Sequence, residues 1–221
     1  MCLQKISNKY NITILAGEKM ESALPELPDY SYLLDYYREY SNPKDKIARE
    51  TRKGNIIKLK QGVYVSRKAL EGGLPKGLIA NRLYGPSYVS FNSALRLYSL
   101  IPEDVPNLTS ATLGKRRRKH FDTSLCTFFY RDVPALAYPR DVVYMMSGRW
   151  RFLAATPEKA LCDELWTTSA IRSRSALRSL LFDDLRIDEE AFSNLAIEAI
   201  KSLAPLYSSM TLDTLLTMIG G

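Results

Sequence analysis

Between Asp29 and Ser66 the apolar residues change their period, and that switch restricts the architectures open to the chain more than any other feature. Leu33, Tyr36, Tyr37 and Tyr40 recur at the i, i+3, i+4, i+7 spacing of a helix with one buried face. The spacing predicts a helix beginning near Asp29, with Ser31 as its N-cap and Asn42-Pro43 as its stop. Pro43 suits the first turn of a second helix, running to about Lys53. That helix places Ile47, Ala48 and Thr51 on one side and Lys46, Arg49 and Lys53 on another, with Arg52 beside them. Gly54 supplies the end signal. The period then drops to two. Ile57 and Leu59, a turn at Gln61-Gly62, then Val63 and Val65 read as a β-hairpin. Helix, basic helix and basic hairpin, in that order, predict a winged helix-turn-helix, whose helix enters the major groove while the wing touches the backbone. A complete winged helix has three helices before its wing. Only two lie between Asp29 and Gly54, so either the preceding arm supplies the third or the motif is abbreviated.

The formal charge of +7 is concentrated rather than spread. From Lys44 to Lys68 there are nine bases (Lys44, Lys46, Arg49, Arg52, Lys53, Lys58, Lys60, Arg67, Lys68) against Asp45 and Glu50. A second block is the run Lys115, Arg116, Arg117, Arg118, Lys119, and the remainder of the chain is mildly acidic. Localised basic stripes are the electrostatic footprint of a polyanion-binding surface. Arg49 and Arg52 are the candidates for base edges, because a guanidinium can bond guanine in a bidentate manner. Lys44, Lys58 and Lys60 are expected on phosphates, with Lys46, Lys53 and Arg67 completing the surface. The plainer alternative pairs Arg49 and Arg52 with Glu50 and Asp45 on a solvated helix. The five-base block is expected to form an exposed turn between two strands; it could extend the DNA footprint, contact RNA or steer an acidic partner, and its position beyond the wing suits a second, separate anion surface.

Residues 1–28 read as an arm with one short strand around Ile12 to Leu15, and residues 29–70 as the winged-helix domain. The stretch EGGLPKGLIA lacks the GxxxxGK[ST] phosphate-loop spacing and reads as a linker. A mixed α/β domain over 75–221 makes the whole α+β. It carries a helix from Lys76 to Leu83 and strands near 108–113, 120–123, 126–130, 142–146 and 151–154. Helices follow over 157–167, 173–181, 188–203 and 212–219, the first capped by Thr156 and opened by Pro157. In TPEKALCDEL, Ala160, Leu161 and Leu165 point to a core and Glu158, Lys159, Asp163 and Glu164 largely outward, with Cys162 packed inside. Tyr88, Phe91 and Tyr98 also read as core.

Catalysis finds little support. One histidine, His120, permits at most one Ser/His/Asp arrangement, and there is no GxSxG, no HExxH and no P-loop. Three scattered cysteines (Cys2, Cys126, Cys162) make neither a disulfide framework nor a zinc knuckle. No cofactor and no metal are expected. No run reaches the length of a membrane span, and the N-terminus lacks a cleavage signal, so a cytoplasmic location without membrane contact is expected.

Four stretches together resemble one family: LKQGVYV (59–65), YVSFNSALRLYSLIPE (88–103), TLGKRRRKHFDT (112–123) and TPEKALCDEL (156–165). In order and spacing they are similar to the AbiEi antitoxins of type IV toxin–antitoxin (abortive infection) systems, across roughly residues 30–170. The resemblance implies an N-terminal winged helix followed by an α/β antitoxin domain. It implies an autorepressor that binds inverted repeats at its own promoter, two copies to a site, and counters a nucleotidyltransferase-type toxin without a stable complex. DNA contacts would then fall on Lys46 to Lys53 and on the wing from Lys58 to Arg67, with the antitoxin role after residue 75. Two other readings stay open: direct sequestration of the toxin by the second domain, and RNA binding through the Lys115–Lys119 block.

Overall fold

The computed structural model describes residues 24–102, 106–116 and 119–220. The strand expected around Ile12 to Leu15, together with Cys2, Arg117 and Arg118, lies outside the described residues. The chain begins with α1 (Tyr30–Tyr36) and α2 (Pro43–Arg52), then the hairpin β1 (Ile56–Lys60) and β2 (Val63–Ser66). Asp29, not Ser31, caps α1, its carboxylate accepting from the Tyr32 amide at 2.8 Å. A carboxylate is the stronger acceptor for the orphan amides of a first turn, and Ser31 sits one residue inside the helix. Asn42 caps α2 with Pro43 at its first position.

Residues 24–29 add no helix. They run beside β2, where Pro28 and Glu26 carbonyls accept from the Tyr64 and Ser66 amides and Asp29 pairs with Val63. A short helix not anticipated from the sequence, α3 (Arg67–Glu71), follows the hairpin with Ser66 as its cap. Leu33, Tyr37, Ile47, Ile56 and Tyr64 close a small core between the two helices and one face of the hairpin.

The rest is a six-stranded mixed sheet in the order β5-β6-β4-β3-β8-β7, with helices on both faces. Its strands are β3 (Ser87–Val89), β4 (Leu108–Thr112), β5 (Lys119–Asp122), β6 (Thr127–Asp132), β7 (Val142–Ser147) and β8 (Trp150–Ala155). The three-residue β3 is too short to show a period, and the sequence reading missed it. On one face lies α4 (Lys76–Leu83); α5 (Phe91–Leu97) and α6 (Pro157–Trp166) cover the other. Gly77 lets α4 descend onto β8, since a Cβ there would sit 2.4 Å from the Phe152 ring. Asn81 of α4 stitches β3 to β8 where their parallel pairing is confined to Val89 and Ala154. Its amide bonds the Ser87 and Leu153 carbonyls and the Leu153 amide at 2.7–3.3 Å.

The C-terminal helices close the second face: α7 (Arg174–Ser179) running on into a π-helical turn to Asp184, α8 (Glu189–Ser193), α9 (Ile197–Leu203) and α10 (Met210–Ile219). The single helix expected over 188–203 is broken. The break buries Leu195 and lets the Ala196 amide donate to Glu158 at 2.9 Å.

Leu59 and Val65 of the hairpin, Ala69, Leu74, Ile79, Ala80 and Leu83, and Phe128 and Tyr130 of β6 form one hydrophobic cluster. Leu74 lies in the Gly/Pro-rich stretch yet is buried there. The hairpin and the sheet therefore share a core across residues 70–75. Burial of this kind, at roughly 25 cal/mol per Å² of apolar surface, is the main adhesive between them.

Candidate nucleic-acid interface

Helix α2 turns Ile47 and Glu50 inward. Glu50 is occupied by Lys46 at 2.8 Å and by the Asn55 amide at 2.6 Å, so it is not available to Arg49. The Lys46 bond, then the Asn55 bond, hold the Glu50 carboxyl below its usual range, and the same contact raises the Lys46 ammonium. Lys46 also lies 4.7 Å from the Tyr40 ring centre and 5.6 Å from that of Tyr37. Expected on the exposed basic face, Lys46 is instead a packing residue with an 18% exposed side chain. Asp45 accepts from the Asn42 amide at 2.7 Å. The plainer alternative of Arg49 and Arg52 neutralised by Glu50 and Asp45 is thus not what the helix does. Among the described residues, neither arginine takes part in an ion pair.

Lys44, Arg49, Arg52 and Lys53 all lie exposed on α2, and Lys58 is exposed on β1. Between α2 and the hairpin runs a groove of about 630 Å³, lined by Lys44, Ala48, Arg52, Lys58, Gly62 and Tyr64 among others. Tyr64 forms its floor against Tyr30, with ring centres 6.4 Å apart. Gly62 takes φ +80° in the turn that closes the groove's far end, a conformation that glycine adopts without strain. Arg67, exposed at the other end of β2, spends its Nε on the Gly54 carbonyl at 2.6 Å and ties the α2–β1 turn to α3.

Lys60 does not join this groove. Along β1, Ile56 and Lys58 face α2, while Ile57 and Leu59 face the shared core. Simple alternation would return Lys60 to the α2 side. A register shift between Lys58 and Lys60 sets Lys60 opposite Val63 instead, on the face that looks toward the sheet. Its ammonium lies 5.0 Å from the Phe121 ring of β5 and 5.9 Å from that of Tyr84. Lys119 lies 5.6 Å from the same Phe121 ring, and Lys115 5.0 Å from that of Tyr84. Lys115 and Lys119 of the basic block therefore border the same two rings as Lys60 of the wing, rather than standing on a separate surface. Burial, with Arg82 and Lys119 nearby, holds the Lys60 ammonium below its ordinary pKa. Arg116 is exposed, and its amide donates to Asp132 at 2.6 Å. Arg82 and Tyr84 were not singled out from the sequence, where α4 shows only an ordinary helical pattern.

The largest departure from the sequence reading is in α6. Glu158, Lys159 and Asp163 are buried and Glu164 is half-buried, not outward. Lys159 and Asp163 pair at 2.8 Å with no solvent exposure. Asp163 also accepts from Tyr207 (2.6 Å), Ser90 (2.6 Å) and Tyr88 (3.1 Å), and Lys159 donates to the Tyr207 hydroxyl. Burial first, and the Asp163 charge second, push the Tyr88 and Tyr207 hydroxyls far up, so both stay protonated donors. Glu164 accepts the Asn92 amide at 3.1 Å. Between these bonds Phe91 is held at φ +57°, an uncommon backbone state for a bulky side chain. The stretches 88–103 and 156–165 are thus joined through one polar network. Its centre, at Lys159, Asp163, Ser90, Tyr88 and Tyr207, is buried, and it ties β3 and the start of α5 to α6.

Among the described residues no three His, Cys, Asp or Glu converge as metal ligands, and no helix is long and apolar enough to cross a membrane. Cys126 and Cys162 are free thiols, that of Cys162 raised by burial. No family model matches the chain. Nor does any curated protein. Among solved structures it is similar to the RV2827C protein from Mycobacterium tuberculosis, with a TM-score of 0.43 and 14% identity over 90% of this chain and 78% of that one.

Proposed function

We propose that this chain is a DNA-binding transcriptional autorepressor that also serves as the antitoxin of a type IV toxin–antitoxin pair. In this reading α1, α2, β1 and β2 act as an abbreviated winged helix-turn-helix. The observation that carries it is the set of exposed cations on α2 and β1: Lys44, Arg52 and Lys58 line the α2–hairpin groove, Arg49 and Lys53 stand on the adjoining exposed side of α2, and none is in an ion pair among the described residues. Holding such cations together without counter-charges is unfavourable in the free protein and is relieved by phosphates. Arg49 and Arg52 read base edges from α2, while Lys44 and Lys58 fix the register on the backbone. Two copies bind an inverted repeat, since a two-fold operator mirrors the symmetry of its protein. The antitoxin half rests on the resemblance to the AbiEi family, and it assigns the sheet and its helices to countering a nucleotidyltransferase-like toxin.

A gel shift with the DNA upstream of the gene tests the first half: salt-sensitive, sequence-preferring retardation is expected, and no retardation overturns it. Co-expression with the adjacent reading frame tests the second: rescue of growth without a co-purifying complex is expected. Because the hairpin completes the core beneath α4, the two roles are separated by substitution rather than by removing residues 1–70.

A further inference from the structure

Where the wing approaches the sheet edge, a second constellation forms that the duplex-binding reading does not use. Tyr84, Phe121 and Tyr130 contact one another with ring centres 5.2–5.8 Å apart. Tyr130 is buried and its hydroxyl is fixed on the Ala80 carbonyl, whereas Tyr84 and Phe121 are half-exposed. Three ammonium groups border these two rings: Lys60 from the wing, Lys115 from the β4–β5 loop and Lys119 from β5. The acids nearby are committed elsewhere. Asp29 pairs with Arg82 at 3.4 Å, Asp132 bonds Thr112 and the Arg116 amide, and Asp122 faces away beside His120. On the opposite face of β5 the exposed His120 ring lies 6.0 Å from that of Phe129, so the edge strand carries an aromatic group on each side.

A duplex, with its bases stacked inside, gains nothing from aromatic rings beside its phosphates. An unpaired strand does: its bases stack on the rings while lysines neutralise its backbone. We propose that the edge formed by Lys60, Tyr84, Lys115, Lys119 and Phe121 binds single-stranded nucleic acid. The β1 bulge builds the site, because it brings Lys60 onto the sheet side of the hairpin. The site lies on the opposite face of the hairpin from the α2 groove and does not depend on that groove binding DNA.

Fluorescence anisotropy with a labelled single strand of about 12 nucleotides, as RNA and as DNA of the same sequence, in about 50 mM salt, tests it on the full chain. Binding of either strand is expected, with RNA and DNA arms ranking the source. Lys60→Gln with Lys115→Gln and Lys119→Gln is expected to weaken that binding about tenfold or more while duplex affinity stays within about twofold. Arg49→Ala with Arg52→Ala is expected to do the reverse. Should the triple variant lose its melting transition, Lys115→Gln with Lys119→Gln, which leaves the wing intact, carries the same expectation in weaker form. No single-strand binding by the wild type, or a loss on duplex DNA alone, overturns the proposal. Unchanged single-strand affinity in the lysine variants overturns it equally.

Discussion

Lys46 and Arg49 stand three residues apart on α2, yet the fold uses them for different purposes. Lys46 is bound by Glu50 and covered by Tyr37 and Tyr40, whereas Arg49 is exposed and, among the described residues, in no ion pair. Replacing Arg49 and Arg52 together by alanine is expected to weaken duplex binding by about 2–5 kcal/mol and leave the melting temperature nearly unchanged, read by anisotropy and calorimetry. Unaltered affinity would remove α2 from the interface. Lys46→Met is expected to act on stability instead, costing about 1–3 kcal/mol by leaving Glu50 with half its partners. The pH dependence follows from the lowered carboxyl. Its contribution is complete above the ordinary carboxylate pKa of 4.5 and is lost as the pH falls through the lower value of the folded state. The gap in melting temperature between wild type and Lys46→Met is therefore expected to be widest near neutrality and to shrink below about pH 4.5. A gap independent of pH would contradict the assignment.

At the level of elements, the period switch between Asp29 and Ser66 made α1, α2 and the hairpin readable, because each helix buries one face and the hairpin alternates its apolar residues between two cores. Two elements defeat that logic. Helix α6 is enclosed all round, so its charged residues meet buried partners 44 to 75 positions away in sequence, a relation no local pattern encodes. On β1 a single bulge inverts the face of Lys60, and strict alternation assigns that lysine to the wrong side. The α6 network makes a definite prediction. Lys159→Met alone leaves Asp163 as an uncompensated buried charge and is expected to cost about 3–5 kcal/mol, whereas Lys159→Met with Asp163→Leu recovers part of the loss. Equal losses in single and double variants, measured by urea unfolding, would show that Lys159 is not what compensates the buried Asp163 charge.

For the molecule as a whole, the shared core beneath α4 makes the hairpin part of the same body as the sheet, so the α2 groove is carried on a rigid support. Rigidity keeps the groove cations at fixed spacing, which is what a phosphate backbone recognises. The salt dependence of duplex affinity reads that property directly. With Lys44, Arg49, Arg52, Lys53 and Lys58 as contacts, log K against log salt is expected to fall with a slope of about −4 to −5 for one copy on its half-site. Lys44→Ala with Lys58→Ala is expected to flatten it by about two, and a shallow slope that ignores these lysines would place the duplex elsewhere or nowhere on the protein.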